Sequence, residues 1–91
     1  MVFGVFKLKS SDGRNNLCGK NIKKIRLNID PPLSQRKLAH KMQVMGYDLD
    51  NHVIRRIETG ERFVTDIEIK AFAEALGVSY RAIIDGIDKQ N

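Results

Sequence analysis

Side chains able to bind another molecule are concentrated in two short segments of this 91-residue chain. Residues 33–39 read Leu-Ser-Gln-Arg-Lys-Leu-Ala, and residues 54–60 read Ile-Arg-Arg-Ile-Glu-Thr-Gly. Each segment sets polar or cationic side chains beside apolar residues at helical spacing. The second also ends on a glycine, the residue that most readily adopts the left-handed conformation that stops a helix. The pattern predicts two short helices that carry hydrogen-bond donors on their outer faces.

Side chains that serve in catalysis or metal binding are few and scattered. His40 and His52 are twelve residues apart on different predicted helices, and Cys18 is the single cysteine. One cysteine cannot form an internal disulfide, and we expect it to be a small buried hydrophobe. The seven glycines stand singly, so they form no glycine-rich phosphate loop. The sequence therefore predicts a protein that is not an enzyme and binds no metal, cofactor or small-molecule ligand.

Charge is divided unevenly along the chain, whose net charge is +5. Residues 1–45 contain ten Lys and Arg against two Asp and Glu, a balance of +8, whereas residues 46–91 contain six against nine, a balance of −3. A strongly positive half attracts polyanions such as nucleic acid, although a solvated lysine surface explains the charge equally well. Together with the two short helices, the charge predicts a module that presents one helix to DNA.

Composition and apolar patterning limit the class of protein to which the chain can belong. A hydrophobic content of 42% and a charged content of 30% are typical of one soluble globular domain with a modest core. No apolar run approaches the roughly 20 residues that span a bilayer. Residues 1–8 are apolar, but their lysines follow the apolar residues, unlike a secretory signal. We therefore expect a cytoplasmic protein.

Helical periodicity predicts five short helices with brief connections. They cover residues 20–28, a segment that begins at Ser34, and residues 51–58, 66–76 and 80–85. Pro31 and Pro32 end the first, because neither can donate a helical hydrogen bond. Thr65 and Glu68 form a capping box at the start of the fourth. We expect a compact all-α domain.

The N-terminal region shows no helical periodicity. We interpret residues 1–18 as an arm that is disordered, packed on the domain or paired with a second subunit. The helical domain then covers residues 19–87, and residues 88–91 form a tail.

Four segments also follow one another in a distinctive order. They are Ile22-Lys23-Lys24-Ile25-Arg26, Leu33-Ser34-Gln35-Arg36-Lys37-Leu38-Ala39, Ile54-Arg55-Arg56-Ile57-Glu58-Thr59-Gly60 and Ala73-Glu74-Ala75-Leu76-Gly77-Val78-Ser79. In this order they resemble the Cro and lambda-repressor type of helix-turn-helix domain, the XRE family of small bacterial and phage regulators. The likeness covers about residues 19–85. It implies a five-helix lambda-repressor-like fold in which the third helix lies in the major groove of DNA.

The resemblance implies base contacts from the start of the third helix and from one turn later. These positions are Asn51, His52 and Arg56, with Asp50 and Arg55 as flanking candidates. An arginine here could donate two hydrogen bonds to guanine, and an asparagine could pair with adenine. Each such contact discriminates between bases by about 1–3 kcal/mol. The alternative for the two arginines is a solvated helix face.

Contacts to the DNA backbone are implied at the start of the second helix. Gln35 matches the family glutamine that touches a phosphate and braces the recognition helix, and the amides beside Ser34 add positive helix-end character. Arg36, Lys37 and Arg62 are further phosphate candidates, which would set affinity and salt dependence but not sequence preference.

Arg26 and Glu58 stand where the family often has an inward-facing arginine and glutamate that pair. The resemblance implies a structural ion pair that ties the first helix to the end of the third. Removing one partner of a buried pair is strongly destabilising.

Two features depart from the family pattern. Ala39 and Ile54 are fifteen residues apart, about five more than usual, so either the second helix is longer or residues 46–49 form a projecting loop. Glu61 stands where some relatives carry a basic residue that faces phosphate.

The leading hypothesis is a sequence-specific DNA-binding transcriptional regulator that represses by occupying an operator. One domain of this size covers few base pairs, so we expect a homodimer on palindromic double-stranded DNA. Candidate dimer elements are residues 1–8 and the C-terminal region with Ile84 and Ile87.

The alternative hypothesis is a protein-interaction module on the same fold, such as an antitoxin-like or antirepressor partner. A DNA reader would expose Arg56, Asn51 and Gln35 on one face. An interaction module would instead expose a contiguous apolar patch.

Overall fold

The computed structural model describes residues 9–86 of the chain. Within them it contains five helices and no strand: α1 Cys18–Asn28, α2 Gln35–Val44, α3 Asn51–Thr59, α4 Asp66–Leu76 and α5 Tyr80–Asp85. The predicted all-α five-helix domain is confirmed, because every predicted helix is present at nearly the predicted position. Residues 1–8 and 87–91, which include the apolar N-terminal residues, Ile87 and the tail, lie outside the described residues.

Polar side chains begin four of the helices. Ser34, Asp50, Thr65 and Ser79 each accept a hydrogen bond from the backbone amide three residues further on. These caps satisfy amides that the first turn of a helix leaves unpaired. Thr65 and Glu68 form the complete capping box that the sequence predicts. Local sequence therefore fixes where these helices start.

The core draws large apolar side chains from all five helices. Those with no exposed surface are Ile22, Leu38, Met42, Ile54, Ile57, Phe72 and Ile83. Cys18 is also buried, as expected for a small hydrophobe, and burial raises the pKa of its thiol to about 11. None of the five helices in residues 9–86 is long and apolar enough to cross a bilayer.

The packing order leaves one side of α3 uncovered. α3 packs against α1 and α2, whereas α5 packs against α1 and α4.

The extra residues between α2 and α3 form a loop and do not lengthen α2, which ends at Val44. Leu49 anchors this loop in the core, and the Tyr47 hydroxyl donates to Glu74 Oε1 at 2.8 Å. The loop therefore lies against α4.

Candidate nucleic-acid interface

The outward face of α3 consists of polar and cationic side chains. His52, Arg55 and Arg56 are exposed, while the apolar residues of the helix are in the core. Residues three and four apart share one side of a helix, so these three side chains lie on one face. Asn51 is half-buried at the start of the helix. The structure thus brings His52, Arg55 and Arg56 together on one face and leaves Asn51 at its edge.

Asp50 has a defined structural role. Its Oδ1 accepts a hydrogen bond of 2.9 Å from the backbone amide of Val53. A carboxylate at this end of a helix also interacts favourably with the helix dipole. Asp50 therefore caps α3, and its carboxylate is committed to the helix start.

Thr59 is a surface residue of this face that the sequence interpretation missed. It is exposed and stands one turn beyond Arg56. Its hydroxyl donates to the carbonyl oxygen of Arg56 and to Glu61 Oε2, each at 3.0 Å. The three-residue spacing from Arg56 is the signal that could have identified it.

A buried ion pair fixes the far end of α3. Arg26 Nε and Nη2 donate to Glu58 Oε2 and Oε1, both at 2.7 Å, and the two side chains are only 7% and 2% exposed. Arg26 Nη1 also donates to the carbonyl oxygen of Leu33 at 2.9 Å, and Gln35 Nε2 donates to Glu58 Oε1 at 2.9 Å. These hydrogen bonds join α1, the start of α2 and α3. They fix α3 relative to the other two elements.

The start of α2 lies beside the C-terminal end of α3, because Gln35 contacts Glu58 there. Arg36 and Lys37 follow on α2 and are exposed. Ser34 accepts from the Lys37 amide at 3.0 Å and so caps the helix. Gln35 itself is half-buried. Of the three residues expected to be exposed together, only Arg56 is exposed, since Gln35 and Asn51 are half-buried.

The N-terminal segment 10–16 closes over the C-terminal end of α3. Arg14, Asn15 and Asn16 supply side-chain donors, and Asn15 also supplies its backbone amide. The acceptors are the carbonyl oxygens of Ile57, Glu58, Gly60, Glu61 and Arg62. The last carbonyls of a helix lack partners within the helix. Segment 10–16 therefore caps α3 from outside.

This contact ties the N-terminal segment to the helical domain. α1 begins at Cys18, and segment 10–16 before it donates hydrogen bonds to the end of α3. The predicted boundary between an arm of residues 1–18 and a domain that begins at residue 19 stays a prediction. α1 and α3 also pack closely, because a Cβ atom added at Gly19 of α1 would lie 2.0 Å from the carbonyl oxygen of Ile57 in α3. Sequence analysis did not identify Asn15 and Asn16 as hydrogen-bond partners of the end of α3.

Arg62 is engaged differently from the predicted phosphate contact. Its Nη1 and Nη2 donate to Glu68 Oε1 and Oε2, both at 2.9 Å, and Nη1 also donates to the carbonyl oxygen of Phe63. This pairing raises the pKa of Arg62 and lowers that of Glu68. The guanidinium thus supports the capping box of α4 through Glu68, and the predicted contact of Arg62 with the DNA backbone stays a prediction.

Arg56 has an acidic neighbour on the outward face. Its Nε lies 3.6 Å from Glu61 Oε1, and both side chains are more than half exposed. Exposed pairs of this kind are weak and easily exchanged for another partner. Arg56 therefore remains able to bind a ligand from solvent.

The arrangement offers hydrogen-bond donors and positive charge on the exposed face of α3. Among residues 9–86, no group of three or more His, Cys, Asp and Glu side chains could hold a metal ion. No family model, curated protein or solved structure matches the chain.

Proposed function

We propose that the chain is a sequence-specific DNA-binding transcriptional regulator, acting as a repressor, that inserts α3 into the major groove of an operator. The observation that carries this proposal is the outward face of α3. His52, Arg55 and Arg56 are exposed there, while the opposite face of the helix is buried against α1 and α2. The major groove of B-DNA is about 12 Å wide and admits an α-helix.

The side chains divide into two roles on this proposal. Arg56 donates two hydrogen bonds to the O6 and N7 atoms of a guanine, a contact that reads sequence. Arg36 and Lys37, at the start of α2 beside the C-terminal end of α3, neutralise phosphates and set affinity without reading sequence. Occupation of the operator then excludes RNA polymerase or a competing factor. The resemblance to the Cro and lambda-repressor type supports the same division.

Two copies acting together complete the proposal. The nine residues of α3 reach only a few base pairs, and useful specificity comes from two symmetric half-sites about one helical turn apart. Two-fold symmetry in the protein then requires a palindromic operator.

Selection from a random duplex pool tests the proposal. We expect the wild-type chain to enrich one motif and Arg56→Ala to lose preference at one position of each half-site, a loss of about 1–3 kcal/mol in discrimination. The matched control is Arg81→Ala, since Arg81 is also an exposed arginine paired with an acid, Asp85 at 4.0 Å, but lies on α5. This control should keep the motif. Enrichment of no sequence by the wild-type chain at modest salt would contradict the proposal.

The second candidate function is the protein-interaction module. Ile67 and Tyr80 are exposed and line one shallow depression between α4 and α5, which favours a protein partner there. The exposed face of α3 carries no large hydrophobic side chain. DNA binding is therefore the better-supported function for α3. Ile67→Lys should leave the selected DNA motif unchanged, because Ile67 lies on α4 and not on the outward face of α3. A wild-type chain that enriches no DNA sequence would favour the second candidate.

A further inference from the structure

Glu61 contacts two residues of the outward face of α3. Its Oε1 lies 3.6 Å from Arg56 Nε, and its Oε2 accepts from the Thr59 hydroxyl at 3.0 Å. Its backbone is fixed as well, because its amide donates to the Arg56 carbonyl at 3.0 Å and its carbonyl accepts from Asn15 Nδ2 at 2.9 Å. A negative charge is thus held beside an exposed cation of the proposed interface.

We propose that Glu61 is a specificity-determining residue, which disfavours the binding of Arg56 to DNA phosphates alone. This inference rests on the proposed DNA-binding function and adds to it. Specificity is a difference between two affinities, and it can be increased by weakening the undesired complex.

The two complexes differ in the charge of the group that Arg56 meets. In the specific complex Arg56 binds the edge of a guanine, which is uncharged, so the neighbouring carboxylate meets little repulsion. In a non-specific complex Arg56 binds a phosphate, and the Glu61 carboxylate is then brought close to a second anion. Like charges at this range repel, and the low dielectric of a DNA–protein contact strengthens the effect. Glu61 therefore penalises non-specific binding more than specific binding.

Two matched substitutions separate this effect from a change in net charge. Glu61→Gln removes the charge and retains a side-chain oxygen as acceptor for Thr59. Asp85→Asn raises the net charge by the same amount, from an exposed ion pair with Arg81 on α5. Asp85 lies away from the outward face of α3, because α5 packs on α1 and α4. Glu61→Gln is also made in the Arg56→Ala variant, and this double variant shows whether Glu61 acts through Arg56.

The assay is fluorescence anisotropy of the full chain with two labelled duplexes of equal length. One is the duplex that the wild-type chain enriches from a random pool, and the other has a mixed sequence. We expect Glu61→Gln to tighten mixed-sequence binding by about three- to fivefold and enriched-sequence binding by clearly less. Asp85→Asn should change both equally, by less than about twofold. In the Arg56→Ala background the effect of Glu61→Gln should fall to that of Asp85→Asn.

Three outcomes would overturn the inference. They are equal effects of Glu61→Gln and Asp85→Asn, an equal gain on both duplexes, or an unchanged effect of Glu61→Gln in the Arg56→Ala background. Each leaves the proposed function standing, because the wild-type chain has then enriched a sequence. A wild-type chain that enriches no sequence overturns the proposed function and this inference with it.

Discussion

Replacing Glu58 with alanine tests how the fold holds α3 in place. The substitution removes the two carboxylate acceptors of Arg26, at 2.7 Å each, and the acceptor of Gln35 at 2.9 Å. The Arg26 guanidinium stays buried, with the Leu33 carbonyl as its remaining hydrogen-bond partner among these contacts. A buried charge without its counter-ion is the main cost of such a change.

The size of the effect follows from the burial of the pair. Removing one partner of a buried ion pair costs about 3–5 kcal/mol. In a domain of fewer than 100 residues this lowers Tm by roughly 12–40 °C. The total stability of a small domain is about 5–15 kcal/mol, so Glu58→Ala should be close to the limit of folding at 37 °C.

Urea and thermal unfolding followed by circular dichroism measure this change. Asp85→Ala is the control, because it removes an acid from an exposed pair and should cost less than about 1 kcal/mol. The double variant Arg26→Met/Glu58→Leu removes both charges and should regain much of the lost stability. DNA binding by Glu58→Ala, measured at a temperature where the variant is folded, should stay within a few-fold of wild type.

Two results would refute this reasoning. A loss of less than about 1 kcal/mol for Glu58→Ala would show that the pair is not a major support of the fold. Unchanged stability together with lost DNA binding would show that Glu58 acts at the interface and not through the fold.

Two further predictions concern the packing of α1 on α3 and the capping box of α4. Gly19→Ala should destabilise the domain by about 1–3 kcal/mol in urea unfolding, because its Cβ would lie 2.0 Å from the Ile57 carbonyl oxygen; wild-type stability would contradict the close packing of α1 on α3. Glu68→Gln should be less stable than wild type at neutral pH. The pKa of Glu68 is lowered in the folded chain by Arg62, so its stabilisation is present above the unfolded pKa of about 4.3 and is lost as pH falls through the folded value. The difference in Tm between the two proteins should therefore shrink on acidification, and a constant difference from pH 7 to pH 3 would contradict this role.

Local signals explain why the helices could be predicted from the sequence. A cap such as Ser34 or Thr65 acts on an amide three residues away, and apolar spacing indicates which face is buried. The pairing of Arg26 with Glu58 joins residues 32 apart in the chain, and only the family resemblance implied it. The resemblance therefore implied a contact between residues far apart in the chain, which helical periodicity cannot indicate.

Other long-range contacts had no local signal. Asn16 donates to carbonyls 41 and 46 residues further along the chain, and an asparagine in a turn-rich segment looks the same with or without such partners. Arg62 shows a different limit of prediction from sequence. A guanidinium binds a carboxylate and a phosphate through the same donors, so the residue type does not reveal which of the two it binds. The choice of Glu68 depends on the position of α4, which the sequence alone does not give.

The capping of α3 by segment 10–16 has a consequence for any attempt to transplant this helix. A graft of residues 50–60 into another scaffold would leave behind Arg14, Asn15 and Asn16, which hold its last carbonyl groups. The grafted helix would then fray at the end nearest Arg56 and Thr59. The smallest unit that keeps α3 fully capped is therefore discontinuous, and it is composed of α3 and segment 10–16, whose side-chain donors lie some forty residues upstream.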